Sequence, residues 1–236
     1  MYFVGSGALL YHAVDFSVAA GLRVECVCCP PGDSAVARLR KQGVAVLECI
    51  DPNETLRPIV EAGAAGIVFS INNKHIIGDE LLVRDARFFN VHNGLVQQYR
   101  GIAEVCIFAA LCRGEIRYGA TLQQLLPGQR VDAGPCVAQL EFPVGSNDRF
   151  CDVLPRSLAA CQRVFEMKVL GIAANSHETA VLETAATALR YQDVHSLCAE
   201  ADPVRLELAS QLGRYAGFFP RLRGLIDSAR QEYSPI

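Results

Sequence analysis

The sequence predicts an α/β protein built on a doubly wound, mostly parallel sheet, with a mainly helical C-terminal extension. Three observations predict it. Short apolar runs alternate with helix-length segments from the first residues onward, each closed by glycine or proline. The run Gly66 to Ile71 is continuously apolar, as in a strand covered on both faces. Beyond about residue 145 the strand-like runs give way to helical ones.

The elements follow in order. Tyr2 to Val4 is a first strand, broken by Gly5-Ser6-Gly7, and Ala8 to Ala20 is a helix closed by Gly21. Val24 to Cys28 is a strand stopped by Pro30-Pro31; Asp33 and Ser34 cap a helix that runs through Lys41 to Gly43. Val44 to Cys49 is a third strand, and Thr55 to Ala62 a helix with Pro58 in its first turn. Gly66 to Ile71, a short helix Asp79 to Arg84, and strand Phe88 to His92 come next. Ala103 to Leu111 is helical, and Tyr118 to Leu122 and Cys136 to Phe142 are strands flanking a loop that carries Asp132. Asp148 to Val169 reads as a long helix with Pro155 as a kink or restart. Glu178 to Ala188 reads as an alanine-rich helix, Ala199 to Arg214 as a helix around Pro203, and Phe218 onward as a short tail element. A Rossmann-like core over 1–145 is expected, with a mainly helical part, 146–236, packed on the same domain.

Composition narrows the function. At 236 residues and 51% hydrophobic, the chain can bury a sizeable core. A formal charge of −3 gives no basic surface for nucleic acid. No apolar run reaches the roughly 18 residues of a membrane span, and the N-terminus lacks the order of a signal peptide, so a cytoplasmic location is expected. The ten cysteines, including Cys26, Cys28 and Cys29 in one strand, lack zinc-ligand spacing and read as buried free thiols. No metal is expected. His12, His177 and His195 stand alone and read as structural.

Two stretches carry chemistry. In FNVHNGLVQQYRG, Phe89 to Gly101, Asn90 and His92 lie two residues apart at a strand end and so project from one face. In VDAGP, Val131 to Pro135, Asp132 supplies a carboxylate. An amide donor, an imidazole and a carboxylate to orient it suffice to stabilise an oxyanion and move a proton. Taken singly, His92 suits a core histidine, Asn90 a strand cap and Asp132 a turn; their combination favours catalysis. Gly5-Ser6-Gly7 is a Gly-x-Gly turn between strand and helix. Leu10 stands where a third glycine would complete a dinucleotide fingerprint, and no strong acidic candidate closes the second strand, so no nicotinamide is expected. The turn reads as structural or as a phosphate contact.

The motif Asn-x-His-x-x-Leu, then Tyr-Arg-Gly, Gly-x-Thr and Asp-x-Gly, resembles the 10-formyltetrahydrofolate-dependent formyltransferases: the glycinamide ribonucleotide, methionyl-tRNA and sugar-amine enzymes. The matching residues are Asn90, His92, Leu95, Tyr99, Arg100, Gly101, Gly119, Thr121, Asp132 and Gly134. Ser70 to Leu82 resembles the preceding strand and loop, and MYFVGSGALL the first strand and turn. Two departures stand out. Asn93-Gly94 replaces the usual Pro-Ser after the histidine, and eleven positions separate Thr121 from Asp132, slightly more than usual.

The resemblance implies 10-formyltetrahydrofolate as formyl donor and a small-molecule primary amine (an amino sugar, amino acid or biosynthetic intermediate) as acceptor. It implies Asn90, His92 and Asp132 as catalytic, with Asn90 a donor to the formyl oxygen and His92, held cationic by Asp132, a second donor and proton carrier. Ile76, Ile77, Leu82 and Val131 are expected at the folate, and Asn93, Tyr99 and Arg100 at the acceptor. Arg221 and Arg223 fit either an acceptor site or a solvated turn. A tRNA acceptor is not expected, since no large β-domain follows. A homodimer is compatible with this reading. A formyltetrahydrofolate hydrolase and a non-catalytic folate- or nucleotide-binding module are the alternatives.

Overall fold

The computed structural model describes residues 1–62, 66–184 and 187–233. In chain order the elements are β1 (Tyr2–Gly5), α1 (Gly7–Ala19), β2 (Cys26–Cys29), α2 (Ser34–Lys41), β3 (Val46–Glu48), α3 (Pro52–Glu61), β4 (Ile67–Ile71), α4 (Asp79–Leu82) and β5 (Arg87–His92). There follow β6 (Arg100–Gly101), α5 (Ala103–Cys112), β7 (Arg117–Leu125), β8 (Cys136–Pro143), α6 (Phe150–Ala173), β9 (Ala188–Leu189), α7 (Val194–Glu200), α8 (Pro203–Ser210) and α9 (Pro220–Tyr233). Seven strands form one sheet in the order β3-β2-β1-β4-β5-β7-β8. The first five are parallel and β7 and β8 antiparallel. This is the Rossmann-like, mostly parallel sheet that the alternation predicts.

The sheet separates two apolar layers. On one face Phe3, Phe69, Phe89 and Val91 pack with α1, α2 and the C-terminal half of α6, where Phe69 stacks between Phe3 and Phe89 at centroid distances of 5.5 Å. On the other, Val4, Cys28, Val68 and Phe88 pack on α3 and α4. A third cluster joins α5, the start of α6, α7, α8 and α9. α6 belongs to the first and third clusters, which ties the helical C-terminal part to the sheet. Its 24 residues run straight through Pro155. Pro155 lies beyond the first turn, so its missing N–H forfeits one intrahelical bond, to the Cys151 carbonyl.

Two helical expectations are corrected. Among the described residues, 178–184 and 187–190 are not helical. Ala180 exchanges backbone hydrogen bonds with Cys136, and Ala188–Leu189 pair in parallel with Arg100–Gly101. Residues 185–186 lie outside the described residues. Pairing with free strand edges outweighs the alanine-rich propensity of this stretch. The single helix at Ala199 to Arg214 is two, because Asp202 is extended before Pro203 and caps α8 with its side chain. The tail after Phe218 holds a 14-residue helix, α9, opened by Pro220; its expected last three residues lie outside the described ones. No helix among the described residues is long and apolar enough to cross a membrane.

Candidate active site

Strand alternation places Asn90 and His92 on the same face of β5 as Phe88, while Phe89 and Val91 enter the opposite core. Register then aligns a polar row across three strands: Ser70 of β4 stands opposite Asn90, and Asn90 opposite Gln123 of β7. His92 stands opposite Thr121. These positions lie at the carboxyl edge of the parallel strands, where open α/β sheets bind ligands.

Asp132 is delivered to this row by the loop after β7. Its φ is +51°, a left-handed conformation that aspartate tolerates better than most residues. Gly134 lets the loop close, since a Cβ there would stand 1.9 Å from the Gln124 carbonyl oxygen. The carboxylate, 9% exposed, meets four donors. Oδ1 accepts from Asn90 Nδ2 at 3.3 Å and from Gln123 Nε2 at 2.9 Å. Oδ2 accepts from the Gly101 amide at 2.9 Å and lies 3.4 Å from His92 Nδ1.

Gly101 reaches Asp132 because of the unpredicted β6–β9 pair. Its φ of +100° excludes most side chains, and a Cβ would lie 2.3 Å from the Leu189 carbonyl oxygen. The strap after α6 thus fixes one donor to the central carboxylate.

His92 is 5% exposed, and its ring bridges two protein acceptors. Nδ1 faces Asp132 and Nε2 lies 2.8 Å from the Tyr99 carbonyl oxygen. Both contacts are hydrogen bonds only when both nitrogens carry protons. As placed, neither nitrogen is free to donate to a ligand. Asn90 is the half-buried member of the three, and its Nδ2 carries a second N–H beyond the one directed at Asp132.

The structure therefore brings Asn90, His92 and Asp132 together. It places the expected acceptor residues differently. Tyr99 is 1% exposed; its ring packs by Tyr118, and its hydroxyl donates to Glu115 at 2.8 Å. Burial, with Glu115, pushes the phenol pKa well up. Arg100 is 2% exposed, and its Nη1 donates to the Val131 carbonyl at 3.3 Å. Asn93 points inward to Ser157 Oγ at 3.1 Å. Asn93 and Tyr99 are interior because the loop after β5 packs there against α6 and α5, whereas Arg100 is held against the Asp132 loop. Among the expected folate residues, Ile77 lies in the core with Leu56 and Phe88, and Leu82 packs half-buried against it. Ile76 and Val131 are 70% and 39% exposed. The two segments that carry them meet where the Gly128 amide donates to Asp79 Oδ1 at 3.2 Å. Arg221 stacks over Tyr191 and Arg223 pairs with Asp227.

Gln123 escaped the sequence reading. It is fully buried, yet in the string LQQLL it looks like the solvent-facing half of an alternating strand. The signal available was its same-face spacing with Thr121. A cavity of about 320 Å³ lies elsewhere, between the start of α6 and α8 and α9, lined in part by Arg149, Cys151 and Leu212. Among the described residues no cluster of three or more His, Cys, Asp or Glu side chains could hold a metal.

No protein-family model matches the sequence. Solved structures do match its architecture. The N-formyltransferase from Helicobacter canadensis, in complex with folinic acid and dTDP-3-aminofucose, superposes with a TM-score of 0.67 over 81% of this chain and 71% of that one, at 18% identity. The fold is that of the formyltransferases. A 4-N formyltransferase from Francisella tularensis gives 0.67 over 84% and 78% at 18% identity. Glycinamide ribonucleotide transformylase 1 from Symbiobacterium toebii gives 0.65 over 77% and 93% at 22% identity. The polar row at the carboxyl edge of this chain's own sheet is where Asn90, His92 and Asp132 lie.

Proposed function

We infer that the protein transfers a formyl group from 10-formyltetrahydrofolate to a primary amine of a small molecule. The convergence of Asn90 and His92 on the Asp132 carboxylate, at the ligand-binding edge of a formyltransferase-fold sheet, carries this reading. Neighbours of that fold crystallised with folinic acid or 5-formyltetrahydrofolate support a folate donor, and the one holding dTDP-3-aminofucose supports a sugar-amine type of acceptor.

Asn90 presents its remaining N–H to the formyl oxygen, which becomes an oxyanion as the amine attacks. His92 serves by charge rather than by direct contact. Its imidazolium, pinned between Asp132 and the Tyr99 carbonyl, stabilises negative charge beside Asn90. The new carbon–nitrogen bond leaves a cationic, acidic nitrogen. The bond from carbon to the donor nitrogen then breaks, and that nitrogen receives the proton as tetrahydrofolate leaves. Ile76 and Val131 give the donor an apolar flank where the two loops meet.

Incubation with 10-formyltetrahydrofolate, with and without a panel of amino sugars and amino acids, tests the assignment. Tetrahydrofolate release only with amine supports transfer. Release without amine marks a hydrolase, and binding without release a non-catalytic module; either refutes it.

A further inference from the structure

The step after His92, Asn93-Gly94, is held at both of its carbonyls. The Asn93 carbonyl accepts from the Tyr118 hydroxyl at 2.8 Å, and the Gly94 carbonyl accepts from Thr121 Oγ1 at 2.7 Å. Gln139 Nε2 donates to Thr121 Oγ1 at 2.8 Å, which turns that hydroxyl's own proton toward Gly94. Tyr118 and Thr121 are fully buried residues of β7, so both carbonyls are fixed to the sheet.

Gly94 is itself buried, and its φ lies outside the left-handed region, so its conformation does not call for glycine. Its surroundings do. A Cβ there would stand 2.6 Å from His92 Nε2, 3.1 Å from His92 Cδ2 and 2.8 Å from the Tyr99 carbonyl oxygen. Non-bonded carbon contacts settle near about 3.5–4.0 Å. The missing side chain is therefore the space in which the His92 ring meets the Tyr99 carbonyl. Of these two the ring is the one that can yield. The Tyr99 backbone is anchored by its amide on the Leu95 carbonyl at 2.7 Å and by its buried phenol on Glu115. The ring turns about its side-chain bonds, and its other contact, Nδ1 to Asp132, is long at 3.4 Å.

We propose that Gly94 is a positioning residue for His92: by carrying no side chain it seats Nε2 on the Tyr99 carbonyl, holds the ring against Asp132 and withholds both ring nitrogens from the ligand, so that Asn90 is the direct donor. Its catalytic meaning rests on the formyl-transfer reading; the seating of the ring does not.

Gly94→Ala adds the one methyl group. With isotopically labelled histidine, the Nε2 proton of His92 is identified by its loss in His92→Ala and compared with that of the exposed His75. It should exchange slowly with solvent in the wild type and at least about tenfold faster in Gly94→Ala. A wild-type proton that exchanges as fast as that of His75, or a rate unchanged in the variant, overturns the proposal. Kinetics then separates positioning from a general disturbance. The kcat for formyl transfer to a competent amine should fall roughly ten- to a hundredfold in Gly94→Ala, as displacement of a catalytic group does, with the KM of both substrates unchanged. In a His92→Ala background, where the ring is gone, Gly94→Ala should cost nothing further in kcat. An equal loss in both backgrounds, or full kcat in Gly94→Ala alone, overturns the proposal. Should Gly94→Ala fail to fold, the double variant must fold; a double variant that also fails overturns it. If the wild type formylates no amine, the assignment of activity fails, and proton exchange still decides whether Gly94 seats the ring.

Discussion

Gln123 Nε2 donates to Asp132 Oδ1 at 2.9 Å, and its Oε1 accepts from the Gly134 amide at 3.2 Å. One glutamine thus holds both the carboxylate and the turn that carries it. Gln123→Leu should strip Asp132 of a donor and leave the buried Gly134 N–H unpaired. Stability should fall by about 1–3 kcal/mol in urea titration. Turnover should fall by up to roughly 10²-fold, as small displacements of a catalytic group do. Wild-type turnover in this variant would show that Asp132 needs no such support.

Asp132→Asn keeps the left-handed backbone accessible but removes the charge opposite His92. Formyl transfer should be lost by at least two orders of magnitude, on the order of other charged-group deletions in oxyanion sites. A folate analogue should still bind by calorimetry, because the loop segments near Ile76 and Val131 are untouched. Full turnover in this variant, or loss of folate binding, would contradict these roles.

Tyr99→Phe separates an interior role from an acceptor role. The lost hydroxyl bond to Glu115 should cost about 0.5–1.5 kcal/mol of stability. The KM for the amine should not move. A rise in amine KM without a change in melting temperature would return Tyr99 to the acceptor site.

His177 governs part of the acid-side stability. Its ring packs edge-on against Phe89, and its buried Nδ1 has no hydrogen-bond partner among the described residues. Burial, with Arg87 adding to it, holds the imidazole pKa below its ordinary 6.5. The unfolded chain then binds the proton more readily than the folded one. Stability is accordingly full above this range and falls as pH drops below the unfolded value. Melting temperatures of wild type and His177→Gln between about pH 7.5 and pH 5 check this. The variant should lose less on acidification; parallel curves would exclude His177.

The sheet was legible because its signals are local. Continuous apolar runs such as Ile67–Ile71, with glycine or proline at their ends, leave little choice of element. The C-terminal region was less so. Residues 178–184 carry alanine and glutamate, as a helix would, but Ala180 bridges to Cys136, and beyond them Ala188–Leu189 pair with the edge of Arg100–Gly101, partners distant in sequence. The site shows the same division. Asn90 and His92 announce themselves by two-residue spacing, whereas Gln123 and the Gly101 amide join Asp132 only through strand register and a φ of +100°. The inward turn of Asn93 and Tyr99 likewise depends on contacts with α6 and α5.

His92→Ala is an impaired test of chemistry, since the buried ring also bridges Asp132 and Tyr99 and its loss should cost stability. Asn90 is half-buried and makes one long bond to Asp132, so its truncation isolates catalysis from folding. The decisive measurement is the rate of tetrahydrofolate release from 10-formyltetrahydrofolate with a competent amine, for wild type and Asn90→Ala, beside the melting temperature of each. Asn90→Ala should lose roughly 10²–10³ in rate with a near-normal melting temperature; full activity in that variant would contradict formyl transfer at this site.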